Sequence, residues 1–329
     1  MPENQASLAL VDLARGQSPD AIATQLETAL TLAGFFYLAG HGIAPTVRDT
    51  LIGQMHQFFE GPESRRKAIA INQHNRGYLA RGEARMYGAA RADLKEVFFF
   101  GRELADDDPD LLAGVPLCAP NQWPLEQPGF RPAVLAYLSQ VGLAARQLLQ
   151  GFALLLGCPV DFFEAYYQRP LSRGQLIHYP APPADAAPDQ FGVAEHTDFG
   201  SITLLYQHTP GLEVLGRDGE WIAAPPIDGT LVVNIGDLLE RWTAGALPST
   251  RHRVRNQTGQ GRYSVAIFFD PSPTATIDPR DIATARQAAG LAPQWRDSQR
   301  VREFEPVGAA EYIIGRSKGV FAQFQKTAA

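Results

Sequence analysis

Cysteine is almost absent from this chain: Cys118 and Cys158 are the two among 329 residues, and they are far apart. Such a pair makes neither a disulfide framework nor a zinc knuckle, and it fits a reducing compartment. Long apolar runs are also missing. No stretch approaches the roughly 18 consecutive apolar residues of a membrane span. The opening MPENQASLALVDLARGQ has an early Glu3 and no basic start, unlike a secretory leader. Basic blocks are lacking too: 29 Lys and Arg stand against 35 Asp and Glu, for a net charge of −6. Nucleic acid and anionic membrane are therefore poor partners for it. These absences leave a globular protein expected in the cytoplasm; since no extended recognition surface is evident, a small molecule is the expected partner, and the chain is expected as a monomer or weak oligomer.

What is present changes texture along the chain. The N-terminal part is mostly helical by pattern. A short strand is expected in LALVDLA (8–14). A helix follows, with Ser18 as N-cap, Pro19 in its first turn and Gly34 past its end. FFYLAGHGI (35–43) reads as a strand running into a turn, and 45–62 as a helix that stops at Pro62. Residues 101–127, rich in Asp, Pro and Gly, read as a loop. Residues 132–157 form the longest helical pattern, with an apolar face wide enough for a buried supporting helix. From about residue 172, short apolar runs alternate with turn residues: GQLIHY, SITLLYQH, LEVL, EWIAAP, TLVVNI, RHRVRN and YSVAIFF. That pattern predicts an antiparallel sandwich or barrel. A short helix is expected in GDLLERWT, with Asp237 as its cap, and a last one in AAEYIIGRSKGVFAQF.

Within this strand-rich part, AEHTDFGSITLLY places His196 and Asp198 two residues apart. On a strand, residues two apart share a face, so both groups can aim at one point. Alone, the pair is ambiguous with a hydrogen-bonded surface turn. His252 in STRHRVRN begins a later strand, and Arg262 and Ser264 follow, again two apart. Two His and one carboxylate on one face of a metal leave positions open, the arrangement of non-haem Fe(II) oxygenases. The open positions suit a bidentate co-substrate and dioxygen. Arg262 offers a fork of donors for a carboxylate, Ser264 a third donor, and Tyr179 in LIHYPAP a fourth from a neighbouring strand.

With these motifs the chain resembles the isopenicillin N synthase-like family of Fe(II)/2-oxoglutarate-dependent oxygenases. The resemblance runs through EHTDFGSITLL, PGLEVL, DGEWIAAPPIDGTLVVNIGDLLERWTAG, STRHRV and RYSVAIFFDP. It extends into AGFFYLAGHGI, FFEGPESRRKAI and DLKEVFFFG. It implies a mixed, β-rich fold: a distorted double-stranded β-helix (jelly-roll) core with a helical N-terminal region and a C-terminal helix. Residues 1–125 would form the N-terminal region and 126–329 the catalytic region, together one compact unit. It implies Fe(II) held by His196, Asp198 and His252. The co-substrate 2-oxoglutarate would chelate the metal, with its far carboxylate on Arg262, Ser264 and Tyr179, and O2 would be the oxidant. Many members carry Asn two residues before that Tyr; here the position is Ile177.

The implied activity is oxidation of a small molecule, by hydroxylation or by desaturation or ring closure, with release of succinate and CO2. The alternatives are an oxidase that needs no 2-oxoglutarate, ethylene formation, and a non-enzymatic ligand sensor. Phe98, Phe99, Phe100, Phe268 and Phe269 read mostly as core; Phe269, Phe98 and Tyr87 are the candidates for touching substrate. Arg81, Arg85 and Tyr87 sit in a polar segment that either closes over the site or is a solvated loop. His41 and His178 read as packed residues, and His56, His74 and His208 as solvated or rim residues.

Overall fold

The computed structural model describes residues 8–86, 89, 91–181, 190–256, 259–290, 303–318 and 320. The N-terminal elements are β1 (Leu10–Asp12), α1 (Pro19–Ala29), β2 (Phe35–Ala39), α2 (Pro45–Phe59), α3 (Glu63–Ala68), β3 (Gly77–Leu79) and β4 (Glu96–Gly101). Next come α4 (Pro109–Leu112), α5 (Phe130–Leu155), β5 (Leu171–Tyr179), β6 (Val193–His196), β7 (Ile202–Gln207), β8 (Leu212–Leu215) and β9 (Trp221–Ala223). The last are β10 (Leu231–Ile235), α6 (Asp237–Trp242), β11 (His252–Val254), β12 (Arg262–Asp270), β13 (Thr276–Ile277), α7 (Pro279–Ala289), β14 (Val307–Gly308) and α8 (Ala309–Ser317).

A larger sheet runs β1-β2-β10-β7-β12-β5-β4-β3, and a smaller one β6-β11-β8-β9. All pairings in the two are antiparallel except β1 with β2. Side chains from both sheets line one cleft, so the sheets face each other as a double-stranded β-helix. Strands from both sides of residue 125 share the larger sheet, since β2 pairs with β10 and β4 with β5.

Strand alternation decides which residues reach the cleft. Along β12, Arg262, Ala266 and Phe268 line it. Tyr263, Val265, Ile267 and Phe269 turn to the other face, where Phe269 stacks on Tyr167 and lies near Gly142 of α5. Along β5, Arg173, Gln175, Ile177 and Tyr179 line the cleft, while His178 turns away. On the outer face of the sheet α5 packs against β5, β7 and β12, and α1 and α2 pack on α5. In α5, Val134, Tyr137, Val141, Ala145, Leu148 and Phe152 recur at helical spacing and are buried. That helix starts two residues before its expected start because Pro132 falls in the first turn, where its missing N–H costs nothing.

Ser18 caps α1 through the Ala21 N–H, with Pro19 in the first turn, as its sequence predicts. The helix stops at Ala29, earlier than Gly34 implied. Gly34 serves a different purpose. A Cβ there would sit 2.2 Å from the Pro248 carbonyl, and its N–H donates to Thr250 Oγ1 at 2.9 Å. This close approach fixes the segment that leads into β11. The 101–127 stretch contains the short helix α4, capped by Asp108. The final helix ends at Ser317, and most of its expected continuation lies outside the described residues. None of the helices in the described residues is long and apolar enough to cross a membrane.

Candidate active site

His196 is the last residue of β6 and His252 the first of β11, and the two are register partners. Asp198 is not on the strand with His196. It lies in the loop between β6 and β7, so the single-strand alternation expected for His196 and Asp198 is not what aligns them. The loop is pinned instead to the start of α6: Asp237 N–H donates to Asp198 O at 2.7 Å, and Leu238 N–H to Gly200 O at 2.9 Å. Gly236 allows that approach, since a Cβ would meet Gly200 O at 2.3 Å. Asp237 therefore does not cap the helix with its side chain. It accepts a hydrogen bond from Thr197 Oγ1 at 3.1 Å and pairs with Arg316.

Candidate ligand atoms of His196, Asp198 and His252 all lie within 4.8 Å of one another. The Nε2 atoms of His196 and His252 stand 3.9 and 3.8 Å from Asp198 Oδ1. The Nδ1 atoms face the carbonyls of Ala194 and Thr250, at 2.8 and 3.2 Å. Proton donation to those carbonyls leaves the Nε2 lone pairs free to bind a metal. The other carboxylate oxygen, Asp198 Oδ2, takes hydrogen bonds from Thr203 Oγ1 at 2.6 Å and Asn234 Nδ2 at 2.8 Å. Oδ1 is thus held toward both imidazoles. Burial, then the neighbouring His252, push the His196 imidazole well below its usual range. Burial works to raise Asp198, but the two imidazoles and the hydrogen bonds from Thr203 and Asn234 bring its carboxyl below the usual range. A neutral His196 imidazole and an ionised Asp198 carboxylate are the states a divalent cation requires, and the donor set of two imidazoles and a carboxylate fits Fe(II).

Arg262 opens β12 and is wholly buried. Its guanidinium lies over the Tyr179 ring, 4.7 Å from the centroid. It donates to Ser264 Oγ at 3.3 Å, Gln207 Oε1 at 3.1 Å and Thr209 O at 3.2 Å. Among the described residues no carboxylate pairs with it. A buried guanidinium without an anion is costly, so an anionic group fits there. Tyr179 meets the guanidinium with its ring face. Ile177 lies beside it in the cleft, opposite Ser264 in register.

The cleft has a volume of about 940 Å³ including its open mouth. It is walled by Phe35, Phe199, Phe268, Leu205, Met86 and Val193. Two expected substrate contacts fall elsewhere. Phe269 is on the helix-facing side of β12, one residue out of phase with Arg262 and Ser264. Phe98 belongs to an aromatic cluster with Phe58, Phe130 and Trp123 on the outer face of the sheet. Phe268 takes the position expected of Phe269. Tyr87 lies outside the described residues.

Sequence reading also passes over Thr203, Asn234 and Gln207. Asn234 left a signal: it is the one amide in the fully buried strand LVVNI, and a buried amide demands a partner.

Comparisons with known proteins decide the identity. The family described as non-haem dioxygenase in morphine synthesis, N-terminal, matches residues 8–126, and the 2OG-Fe(II) oxygenase superfamily matches residues 171–271. A 2-oxoglutarate-dependent dioxygenase of Trichoderma harzianum is 34% identical over 295 residues, covering 85% of this chain and 90% of that protein. This chain belongs to the 2-oxoglutarate- and Fe(II)-dependent oxygenases. A rice homoarginine-6-hydroxylase is also 34% identical to this oxygenase, across 89% of this chain and 87% of that one. Among solved structures, a Neurospora crassa protein in complex with alpha-KG and thymine superposes with a TM-score of 0.79 at 27% identity. That match covers 97% of this chain and 98% of the other. The oxygenase accordingly uses Fe(II), 2-oxoglutarate and O2, in a double-stranded β-helix.

Proposed function

We propose that His196, Asp198 and His252 hold the Fe(II), and that Arg262 with Ser264 takes the far carboxylate of 2-oxoglutarate, stacked on Tyr179. The reaction inserts one atom of O2 into a small-molecule substrate and the other into succinate, with loss of CO2; hydroxylation is the favoured outcome. The observation that carries this reading is Arg262: a buried cation with no anionic partner among the described residues, opening onto the cleft that contains the His-Asp-His cluster.

When bound, Fe(II) and 2-oxoglutarate supply the oxidising chemistry. The protein's own residues do the rest. The Ala194 and Thr250 carbonyls fix the tautomer of both imidazoles. Thr203 and Asn234 hold Asp198 so that one oxygen faces the metal position. Gln207 and Thr209 O orient the Arg262 fork, and Gln207 is itself held by donating to Ala224 O at 2.7 Å. Phe35, Phe199 and Phe268 keep the substrate side apolar and exclude water. Free Cys118 and Cys158 agree with a cytoplasmic setting.

The experiment is a screen for succinate release from 2-oxoglutarate across compound classes, with wild type and Arg262→Leu. Substrate-stimulated succinate in wild type and a raised KM for 2-oxoglutarate in the variant are expected. Product formation without 2-oxoglutarate would favour an oxidase in which Arg262 binds a substrate carboxylate.

A further inference from the structure

Lys95, Arg173 and Gln175 bring hydrogen-bond donors to the cleft. Lys95 is 3% exposed and lines the cleft. Its Nζ stands 3.3 Å from Asp93 Oδ2, an ion pair that takes up one of the three ammonium N–H groups. The Nε of Arg173 is buried with no acceptor. Gln175, half-buried on the cleft-facing side of β5 between Arg173 and Ile177, lines the same cleft. A buried donor left unmet, as Arg173 Nε is, is costly, so a ligand that presents acceptors along this wall is favoured.

The charges around these donors are already matched. Arg173 pairs with Asp270 at 2.7 Å, and Lys95 with Asp93. At the mouth, Arg251 pairs with Glu195 at 2.8 Å and Arg316 with Asp237 at 2.5 Å. Arg262 is committed to the far carboxylate of 2-oxoglutarate. The metal's two charges are met by Asp198 and the co-substrate's other carboxylate. Any further charge brought to the cleft floor would be buried without a partner, which is expensive.

We propose that the substrate is an uncharged molecule carrying carbonyl or hydroxyl oxygens on a flat ring, and that Lys95 and Gln175 donate to those oxygens. The aromatic walls Phe35, Phe199 and Phe268 favour a flat ring. This proposal rests on the assignment of the metal and 2-oxoglutarate positions above, because the charge balance assumes both are filled. Lys95 has a second role through its partner: Asp93 Oδ1 accepts the Ala194 N–H at 3.1 Å, and Ala194 O faces the His196 ring. A ligand on Lys95 is therefore linked to the strand that carries a metal-site imidazole.

The test is binding rather than turnover. Anaerobic enzyme loaded with Fe(II) and 2-oxoglutarate is screened by saturation-transfer NMR against ring compounds in matched pairs, a neutral methyl ester or amide and its free carboxylate. Neutral members should bind at least tenfold more tightly than their carboxylates. Lys95→Met and Gln175→Leu should each weaken the neutral binders about tenfold or more, while calorimetric affinity for 2-oxoglutarate stays within threefold. Lys95→Met leaves Asp93 alone, so Asp93→Asn/Lys95→Met is measured beside it; Gln175→Leu strands no partner. Carboxylates binding as well as neutral members, no neutral binder at all, or unchanged binding in Gln175→Leu and the double variant would overturn the proposal. Loss of 2-oxoglutarate binding by the wild type would instead overturn the assignment on which it rests.

Discussion

Asn234→Leu removes a donor from Asp198 without touching any of the three proposed ligands. Asp198 Oδ2 accepts from Asn234 at 2.8 Å and from Thr203 at 2.6 Å. Both donors are nearly wholly buried, with 2% and 4% exposure, so water does not replace them. A hydrogen bond to a charged acceptor contributes about 1.5–3 kcal/mol. Because two donors share one oxygen, each single loss should fall near the lower end, about 1.5 kcal/mol, or tenfold in Fe(II) affinity. That agrees with the roughly 10- to 100-fold typical of partners behind metal ligands. Leu is close to Asn in size, so the strand packing of β10 should survive. Thr203→Val should behave alike. The double variant should lose more than the product of the singles, since the last restraint on the carboxylate then goes. The assay is anaerobic Fe(II) titration by competition with a chelating dye, with circular dichroism to check the fold. Single changes below threefold, with a double variant still near wild type, would refute the claim that these residues aim Asp198.

Other consequences are equally direct. Arg262→Leu should raise the Kd for 2-oxoglutarate a hundredfold or more, because a buried charged pair broken on one side costs about 3–5 kcal/mol; calorimetry reads it, and a change under fivefold would contradict the assignment. Phe269→Ala should cost about 3–5 kcal/mol of stability in denaturant unfolding, since Phe269 is 2% exposed and stacks on Tyr167. Phe268→Ala should instead mainly change substrate affinity, and the reverse pattern would break the facing assigned to β12. Burial raises Glu96, but hydrogen bonds from His178 and Tyr78 and the charge of Arg66 bring it below its usual range. Its stabilising contribution is therefore present above the unfolded carboxylate pKa and lost as pH falls through the lower folded value. Glu96→Gln should narrow the gap to wild type between about pH 5 and 3; a gap that stays constant across that window counts against it.

Much of the catalytic end was legible because its residues are chemically unusual for their positions. His196, Asp198, His252 and Arg262 are polar groups at the edges of apolar runs, and the structure brings all four to one cleft. Strand alternation does not align His196 and Asp198; loop anchoring to α6, a long-range contact, does. Phe269 falls outside the cleft, and the rule that puts it there is local. Counting by twos from Arg262 reaches Phe268, never Phe269. Helix α7 carries no apolar periodicity, because Ile282 is its one buried residue, though Asp278, Pro279 and Gly290 mark its ends. Strand β6 ends at His196, and its four residues show too little alternation to mark that end in the sequence. Lys95, Gln175 and Gln207 gain meaning only from neighbours distant in sequence, as in the Gln207–Arg262 hydrogen bond.

That His196, Asp198 and His252 form an Fe(II) site taking 2-oxoglutarate beside Arg262 can be put to a single experiment. It is anaerobic titration of 2-oxoglutarate into the Fe(II)-loaded protein, followed by visible spectroscopy. Wild type should develop a weak charge-transfer band that saturates at one equivalent, and His252→Ala should develop none. A band of equal intensity in His252→Ala, or no band in wild type, would show that the iron and its co-substrate are not held there.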